Sequence, residues 1–337
     1  MFQRILVPLD GSARAEQAVP VAARIARASG GSITLLRVVT HPIDAVAYLM
    51  QPPETTEKAH SESHTKAIDY LTRLAHSDEL AGVATAVEVT DSIPAQMILS
   101  AARLQKVDAI IMCRHGDAGF RRWALGSVAQ KVARHSPVPV FILPEGTDLT
   151  TSFPPEGTRP VKVLVGLDGS SLAEAALVPA IHLSVALSAP MPGALHLAHV
   201  LPLFALEGKD QDVSTERALS GAKAYLQSVE QQLREEVGAR FDISITSSVT
   251  VARDVADALI KMAEEGDDTE GGKPLKGYDV IAMATHGREG SQLWVMGSIT
   301  EQVLGTTKLP ILIVRPQEMI DKEFRTKDQY TEAEKAP

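Results

Sequence analysis

Residues 4–39 read RILVPLDGSARAEQAVPVAARIARASGGSITLLRVV. Residues 4–9 form a short apolar run rich in branched side chains, which is typical of a strand covered on both faces. Residues 12–29 are rich in alanine and place apolar side chains every three or four positions, which predicts a helix with Ser12 as its N-cap. The following Gly-Gly pair indicates a helix stop, and residues 32–39 form a second strand. Strand, helix and strand in this order predict two parallel strands.

The same alternation continues as far as residue 143. The pattern predicts further helices at 56–76, 94–106 and 126–136, and further strands at 84–90, 108–112 and 138–143. Alternating strands and helices indicate a parallel sheet with helices on both faces. We therefore predict an α/β fold with a five-stranded, doubly wound, Rossmann-like domain.

The second half of the chain repeats the first. RILVPLDGS (4–12) returns as KVLVGLDGS (162–170), and GSVAQKVARHSPVPVFIL (126–143) returns as GSITEQVLGTTKLPILIV (297–314), with two shorter matching blocks in the same order. In the second copy, Ser171 and a glutamate three residues later predict a capping box. The repeat predicts two tandem doubly wound domains, divided as follows: domain 1 over 1–147, a linker over 148–160, domain 2 over 161–316 and a polar tail over 317–337.

Composition excludes several classes of function. The formal net charge is −9, whereas non-specific nucleic-acid binding and docking on anionic lipid both need a basic surface. Cys113 is the single cysteine, so no disulfide can form within the chain. The first apolar run is too short for a signal peptide, and no stretch stands out as a membrane span. These features predict a cytoplasmic protein that binds neither nucleic acid nor membrane.

Each copy carries a glycine loop after its fourth strand. The loops read MCRHGDAGFRRWALGS (112–127) and MATHGREGSQLWVMGS (283–298), and each ends in a Gly-Ser pair that opens a helix. A helix N-terminus offers unpaired N–H groups and partial positive charge, and glycine lets a phosphate approach the backbone. A glycine turn followed by an ordinary helix start has the same sequence, so both interpretations stay open at this point.

The DGS turn after strand one, the G-x9-G-S loop and the closing apolar strand together resemble the universal stress protein family. The resemblance covers nearly all of residues 1–316, twice over, and implies an adenine nucleotide alpha hydrolase-like fold. ATP-binding members of this family carry G-x2-G-x9-G followed by Ser, Thr or Asn. Both copies keep the last two glycines and the serine. The first glycine is replaced by Cys113 in copy one and by Ala284 in copy two, which makes copy two the better nucleotide site.

The resemblance implies a role for each residue at a matching motif position. The adenosine would contact Asp10, Val38, Met112 and Cys113 with the backbone of Pro8 in copy one, and Asp168, Val200, Met283 and Ala284 with the backbone of Gly166 in copy two. The phosphates would be held by Gly116, Gly126, Ser127 and Val128 in copy one, and by Gly287, Gly297, Ser298 and Ile299 in copy two. The expected ligand is ATP, with Mg²⁺ held mainly by its phosphates.

Several of these residues have plainer interpretations. Asp10 and Asp168 could cap their own turns, because Asp-Gly-Ser is strong turn chemistry. His115 and His286 could be phosphate ligands or acids, but we interpret them as solvent-facing loop residues. Four arginines could neutralise phosphate charge, although the two copies do not match at these positions: Arg114, Arg121, Arg122 and Arg288. Trp123 and Trp294 favour packing over base stacking, and the cysteine favours a small buried hydrophobe.

These observations predict a protein that binds ATP and acts in a stress response or in signalling. Two alternatives stay open: a slow ATP-hydrolysing enzyme and a ligand-free interaction scaffold. The loops lack the lysine of a P-loop and no paired acidic residues are set to hold Mg²⁺, which argues against fast hydrolysis. The family resemblance implies pairing of the two closing strands, an intrachain pseudo-dimer that would protect two sheet edges. Association into a homodimer stays open.

Overall fold

A computed structural model describes residues 1–40, 53–114, 125–144, 153–203, 211–237, 240–266, 277–287 and 296–322. The chain divides into two compact units, residues 1–146 and 147–337. Each unit is an α/β domain built on a parallel sheet, and the two are described separately here as unit 1 and unit 2.

Unit 1 alternates strands and helices as its sequence pattern predicts. Its strands are β1 (Arg4–Leu9), β2 (Ser32–Val39), β3 (Ala84–Asp91), β4 (Ala109–Cys113) and β5 (Val140–Leu143). Its helices are α1 (Ala13–Glu16), α2 (Ala18–Ser29), α3 (Pro53–Ala75), α4 (Pro94–Leu104) and α5 (Ser127–His135), with a short 3-10 turn at Asp78–Leu80.

The sheet of unit 1 has the strand order β3-β2-β1-β4-β5. All its pairs are parallel, with Ile5 opposite Ile33 in β2 and opposite Ala109 in β4. The connections run one way from β1 to β3 and the other way from β3 to β5, so right-handed crossovers place α2 and α3 on one face and α4 and α5 on the other. The connections therefore lead away from each other on the two sides of the β1–β4 pair. In sheets of this kind, ligands bind at this point, beyond the carboxyl ends of the strands.

The first helix of unit 1 begins and ends as its sequence predicts. The Ser12 hydroxyl accepts a hydrogen bond from the Ala15 N–H and caps α1. Gln17 separates α1 from α2, which ends at Gly30 with φ of +64° in the left-handed region. Glycine adopts this conformation without a steric penalty, so the Gly-Gly pair is confirmed as a helix stop.

Unit 2 repeats the architecture. Its strands are β6 (Lys162–Leu167), β7 (Gly193–Pro202), β8 (Ile243–Ala252), β9 (Val280–Ala284) and β10 (Ile311–Val314). Its helices are α6 (Ser171–Glu174), α7 (Leu177–Ser188), α8 (Gln211–Glu236), α9 (Val255–Glu265) and α10 (Ser298–Thr306). The strand order β10-β9-β6-β7-β8 is that of unit 1, read from its other edge.

The predicted capping box in unit 2 is wrong by one residue. The N-cap of α6 is Ser170, whose hydroxyl accepts from the Ala173 N–H at 3.2 Å, and Ser171 is already helical. The serine of the Asp-Gly-Ser turn therefore caps the helix in both units. The reason is that the turn directs its third residue, and not its fourth, towards the free N–H groups of the helix.

One segment of unit 2 has the length and composition of a membrane span, although none was expected from the sequence. The stretch Ser171–Ser188 is long and apolar enough to cross a membrane by length and composition alone. Most of it is buried within the protein, including Leu183 and Leu187 at 0% exposure. A core helix of an α/β protein meets the same criteria, because it lies between the sheet and its neighbours.

The start of the C-terminal tail is not a polar extension. Residues 317–322 are helical, and the N–H groups of Met319 and Ile320 donate to the Pro316 carbonyl. Both side chains are buried, with 1% and 5% exposure. The first turn after the repeat is therefore packed and not a solvent-exposed extension.

One aspartate fixes the first strand of each unit to the fourth. The Asp108 carboxylate accepts from the N–H groups of Gln3 and Arg4 at 2.9 and 3.2 Å. In unit 2 the carboxylate of Asp279 accepts from the Lys162 N–H at 2.8 Å and from both ends of the Arg159 guanidinium at 2.8 and 2.7 Å. The carboxylate holds the amino ends of two central strands together at the edge opposite the glycine loops.

Candidate functional site

The Asp-Gly-Ser turns lie at the carboxyl ends of β1 and β6. Oδ1 of Asp10 accepts from the Ser12 N–H at 3.0 Å and from its hydroxyl at 2.6 Å, and Asp168 makes the same two bonds to Ser170 at the same distances. The glycine between them has φ of +86° in unit 1 and +84° in unit 2. Each aspartate therefore does cap its own turn, through one carboxylate oxygen.

Val38 and Val200 lie at the carboxyl edge of their sheets, one residue beyond the last residue that pairs with the central strand. The β1–β2 register ends at Leu9 opposite Arg37, while β2 and β3 stay paired for two residues more. In unit 2 the β6–β7 register ends at His199, and β7 likewise continues alongside β8. The backbone of each valine thus lies beyond the last residue of the central strand, where a planar ring could replace the strand as hydrogen-bonding partner.

The glycine loops are closed at the base by identical backbone bonds. In unit 1 the Arg114 N–H donates to Leu143, and its carbonyl accepts from Gly126 at 3.0 Å. In unit 2 the Thr285 N–H donates to Val314, and its carbonyl accepts from Gly297 at 2.8 Å. One residue in each unit thus fixes both the end of the fourth strand and the beginning of the next helix.

Helices α5 and α10 begin at these closed bases, with glycine as the N-cap. Gly126 has φ −60° and ψ 144°, Gly297 has φ −56° and ψ 140°, and neither cap is made by a side chain. The next two residues supply N–H groups of the first helical turn, which have no partner within the helix. Those residues are Ser127 and Val128 in unit 1, and Ser298 and Ile299 in unit 2; the two serines are exposed.

Contact between the aspartate turn and the glycine loop is direct in unit 2. A Cβ on Gly287 would collide with Oδ2 of Asp168 and lie 2.9 Å from its Cγ. Among the described residues, a Cβ on Gly297 would meet only the Thr285 carbonyl, at 3.4 Å. Gly287 is therefore required by the aspartate, whereas no described residue requires a glycine at position 297. Gly116, the counterpart of Gly287, lies outside the described residues.

The side chain of Cys113, at the first motif position of unit 1, lies against α1. The thiol of Cys113 donates a long hydrogen bond to the Ala15 carbonyl, at 3.8 Å, and its side chain is buried. Ala284 is equally buried, and its carbonyl accepts from the Thr300 hydroxyl at 2.9 Å. Either side chain therefore has space of its own within the core, and the cysteine is confirmed as a small buried residue.

The remaining predicted adenosine contacts lie in the adjoining strand ends. Gly166 in β6 faces Met283 in β9, because a Cβ there would lie 3.5 Å from the methionine Cε. Pro8 has the corresponding place in β1, and Met112 the place in β4. Both methionines are 6% exposed. The structure thus brings the predicted residues to one strand edge in each unit.

Comparison with known proteins agrees with this architecture. The model of the Universal stress protein family matches the chain twice, over residues 1–144 and 161–315. The chain belongs to the universal stress protein family. Its similarity to the universal stress protein Rv2623 of Mycobacterium tuberculosis, at 25% identity, extends over 92% of this chain and 96% of that one. The universal stress protein MJ0531 of Methanocaldococcus jannaschii is 28% identical over 144 residues, which is 42% of this chain and 82% of the relative.

Solved structures of universal stress proteins share the fold over both units. The crystal structure of a universal stress protein from Archaeoglobus fulgidus has a TM-score of 0.61 at 21% identity, covering 94% of this chain and 99% of its own. A putative universal stress protein from Pseudomonas aeruginosa has a TM-score of 0.59 at 17% identity, covering 95% of each chain. These likenesses establish two tandem Rossmann-like domains.

The loop histidine of this universal stress protein is buried in unit 2. His286 is 4% exposed, and its Nδ1 lies 2.9 Å from the hydroxyl of Thr285, which is fully buried. The interpretation as a solvent-facing residue is wrong for His286, because the loop turns inwards against Asp168 before it leaves the sheet. Arg114 is buried as well, at 6% exposure. The other weighed loop residues lie outside the described residues: His115, Arg121, Arg122, Arg288, Trp123 and Trp294.

A cluster beside the unit 1 site was missed by the sequence analysis. The Arg37 guanidinium packs against Gly11, where a Cβ would collide with it, and lies 5.2 Å from the ring centroid of Tyr70 on α3. Burial raises the pKa of Tyr70, the nearby Glu16 and Asp10 carboxylates raise it further, and Arg37 lowers it. A tyrosine, an arginine and two carboxylates therefore meet at the Asp-Gly-Ser turn.

Unit 2 has a related cluster with a histidine in place of the arginine. The Tyr225 hydroxyl donates to Glu174 Oε1 at 3.0 Å, and its ring packs edge to face on His199 at 5.8 Å. The repeat itself holds the signal for this cluster. Tyr70, Glu16 and Arg37 of unit 1 occupy the corresponding positions in their strand and helices. Only the cationic position changes character, from arginine to a histidine that is 4% exposed.

Protein ligands for a metal ion do not gather at this edge within the described residues. No group of three histidine, cysteine or carboxylate side chains in that part of the chain is placed to bind a cation. In unit 2, Asp168 lies beside the described part of the glycine loop, at Gly287.

Proposed function

We propose that each unit binds an adenine nucleotide, ATP, across the carboxyl ends of its strands, and that the protein acts through this ligand in stress response or signalling. The observation that carries the proposal is the closed glycine loop. In both units the helix that follows the loop begins without a side-chain cap, at the point in the sheet where the order of the strands reverses. Membership of the universal stress protein family supports the choice of an adenine nucleotide.

The phosphates would lie at the beginnings of α5 and α10. Free N–H groups and the helix dipole favour anions there, and glycine at the N-cap permits close approach. Asp10 and Asp168, in the turns after the first strand of each unit, would contact the ribose. Adenine would pair with the backbone of Val38 or Val200, just beyond the register of the central strand.

Binding is proposed here without rapid turnover. Fast phosphoryl transfer requires groups that hold Mg²⁺ and stabilise charge on the transferred phosphate. The described residues provide neither an acidic pair nor a lysine at the two helix starts. The buried ring of His286 already contacts the hydroxyl of Thr285, which favours a structural role for it over acid–base chemistry.

The test starts with the intact, purified protein. Denaturation followed by mass spectrometry identifies any adenine nucleotide carried from the cell, and calorimetric titration with Mg-ATP measures its binding. We expect binding that Gly297→Val weakens about 10- to 100-fold in unit 2, because its side chain displaces one or two charge-assisted hydrogen bonds to phosphate. Gly126→Val should act likewise in unit 1.

Gly305→Val is the matched control. This glycine lies at the other end of α10, and a Cβ there would meet nothing within 4 Å. The control should leave both stability and affinity unchanged. If the wild-type protein released no nucleotide and bound no Mg-ATP, the proposal would be refuted. Unchanged affinity in Gly297→Val would show that the phosphates do not lie at the start of α10.

A further inference from the structure

The basic residue beside the Asp-Gly-Ser turn is an arginine in unit 1 and a histidine in unit 2. Arg37 and His199 occupy the same place, opposite the last residue of the central strand and directly before the valine proposed to contact adenine. The arginine side chain also extends farther than the histidine ring. The guanidinium of Arg37 extends as far as Gly11, the neighbour of Asp10, whereas the His199 ring is buried against Tyr225.

Arg37 is placed where a ribose would lie. If Val38 contacts adenine and Asp10 contacts the sugar, the ribose lies between them, next to the guanidinium packed on Gly11. Its contacts with Gly11 and with the Tyr70 ring are packing contacts and not hydrogen bonds. A guanidinium carries five N–H donors in a planar fork that matches phosphate oxygens.

We propose that unit 1 selects an adenine nucleotide with a second phosphate on its ribose, through Arg37, whereas unit 2 selects one with free ribose hydroxyls. The proposal rests on the proposed function and adds a ligand class to it. In dinucleotide-binding folds an arginine near the ribose similarly accommodates a 2′-phosphate, and a carboxylate binds the free hydroxyl.

The charges around each site set the expected contrast. In unit 1 the charges of Arg37, Glu16 and Asp10 all act on Tyr70, so the guanidinium offsets the two carboxylates near an incoming phosphate. In unit 2, Asp168 and Glu174 have a buried imidazole in place of that guanidinium. Without Arg37, the carboxylate of Asp10 should repel a ribose phosphate. Its loss should therefore reverse the preference of unit 1 and not merely abolish it.

The experiment uses the full chain with Gly297→Val, which weakens binding in unit 2, so that the tighter phase of the calorimetric titration reports on unit 1. Three probes are titrated: AMP, adenosine 2′,5′-bisphosphate and adenosine 3′,5′-bisphosphate. We expect one bisphosphate to bind about tenfold more tightly than AMP, as one charge-assisted hydrogen bond provides. Which bisphosphate binds more tightly identifies the ribose position.

Arg37→His should bring that ratio below one, while binding of AMP changes little. Arg37→Gln keeps a long side chain over Gly11 and Tyr70 but removes the charge, so it decides the question if the histidine variant is unstable. Arg4→His is the matched control, because Arg4 is exposed at the amino end of β1, the opposite edge of the sheet. It should leave the ratio unchanged.

Two failures can be told apart. If AMP, ATP and both bisphosphates fail to bind the wild-type chain, the proposed function itself is refuted. If AMP or ATP binds but the bisphosphates show no advantage in unit 1, only the ribose-phosphate proposal is refuted. An advantage that survives in both Arg37 variants would overturn it equally.

Discussion

Replacement of Gly287 by alanine tests the contact between the aspartate turn and the glycine loop. The new Cβ would collide with Oδ2 of Asp168 and lie 2.9 Å from its Cγ, whereas ordinary contacts begin at 3.4 Å. The carboxylate must swing away, which breaks its bonds to the N–H and the hydroxyl of Ser170. Each bond at this half-exposed site contributes about 1 kcal/mol, so we expect a loss of about 2 kcal/mol in the free energy of unfolding.

A double-mutant cycle isolates the collision. Asp168→Ala loses the same two hydrogen bonds and should also cost about 2 kcal/mol. In that background, Gly287→Ala has nothing to displace and should be close to neutral. The two substitutions should therefore show a coupling energy of about 2 kcal/mol. Gly297→Ala is the matched control, since its Cβ meets only a carbonyl at 3.4 Å and should cost less than about 0.5 kcal/mol.

Urea unfolding of the full chain provides the measurement. The sequence has two tryptophans, one in each unit, so in a Trp123→Phe background the fluorescence comes from Trp294 of unit 2. This separates unit 2 from unit 1, which is necessary because two domains need not unfold together. Additive effects within about 0.5 kcal/mol, or a Gly287→Ala variant as stable as the control, would contradict the contact.

Two further predictions concern unit 2. Asp279→Ala should cost about 2–4 kcal/mol of unfolding free energy, because it leaves the Lys162 N–H and the Arg159 guanidinium without their carboxylate. Arg159→Ala should cost less than about 1 kcal/mol, since its side chain is 44% exposed; equal losses in urea unfolding would contradict this. The Asp257 N–H and the Gln302 amide lower the pKa of Asp254. Its stabilisation should be complete above the ordinary value of 3.8 and disappear as pH falls through the lowered value, so Asp254→Ala and wild type should converge in acid.

Much of the fold could be predicted from the sequence, because strands and helices here carry clear periodic signals. The repeat shows the same pattern of strands and helices twice, so the assignment in one copy supports that in the other. The helix stop at Gly30 follows from local chemistry alone. The misplaced capping box shows the limit of that approach, since Ser170 and Ser171 are equally good caps and only turn geometry chooses between them.

The candidate site was predictable in its motif positions but not in its contacts. Spacing placed Gly287 and Gly297 in one motif, yet only the packed structure separates them: Asp168 requires the first, and no described residue requires the second. His286 was misinterpreted because loop sequence gives no measure of burial. Arg37 was overlooked since its role depends on Gly11 and Tyr70, which come from distant parts of the chain.

Main-chain hydrogen bonds at the base of each glycine loop fix where the next helix begins. Eleven residues lie between the paired ends in both units, HGDAGFRRWAL at 115–125 and HGREGSQLWVM at 286–296, and they agree at four positions. The hydrogen bonds that pair these ends are made by main-chain atoms, so they do not depend on which side chains stand at the paired positions. Duplication of the domain provides two such loops, each on the same scaffold. One can acquire new specificity while the other preserves the ancestral one.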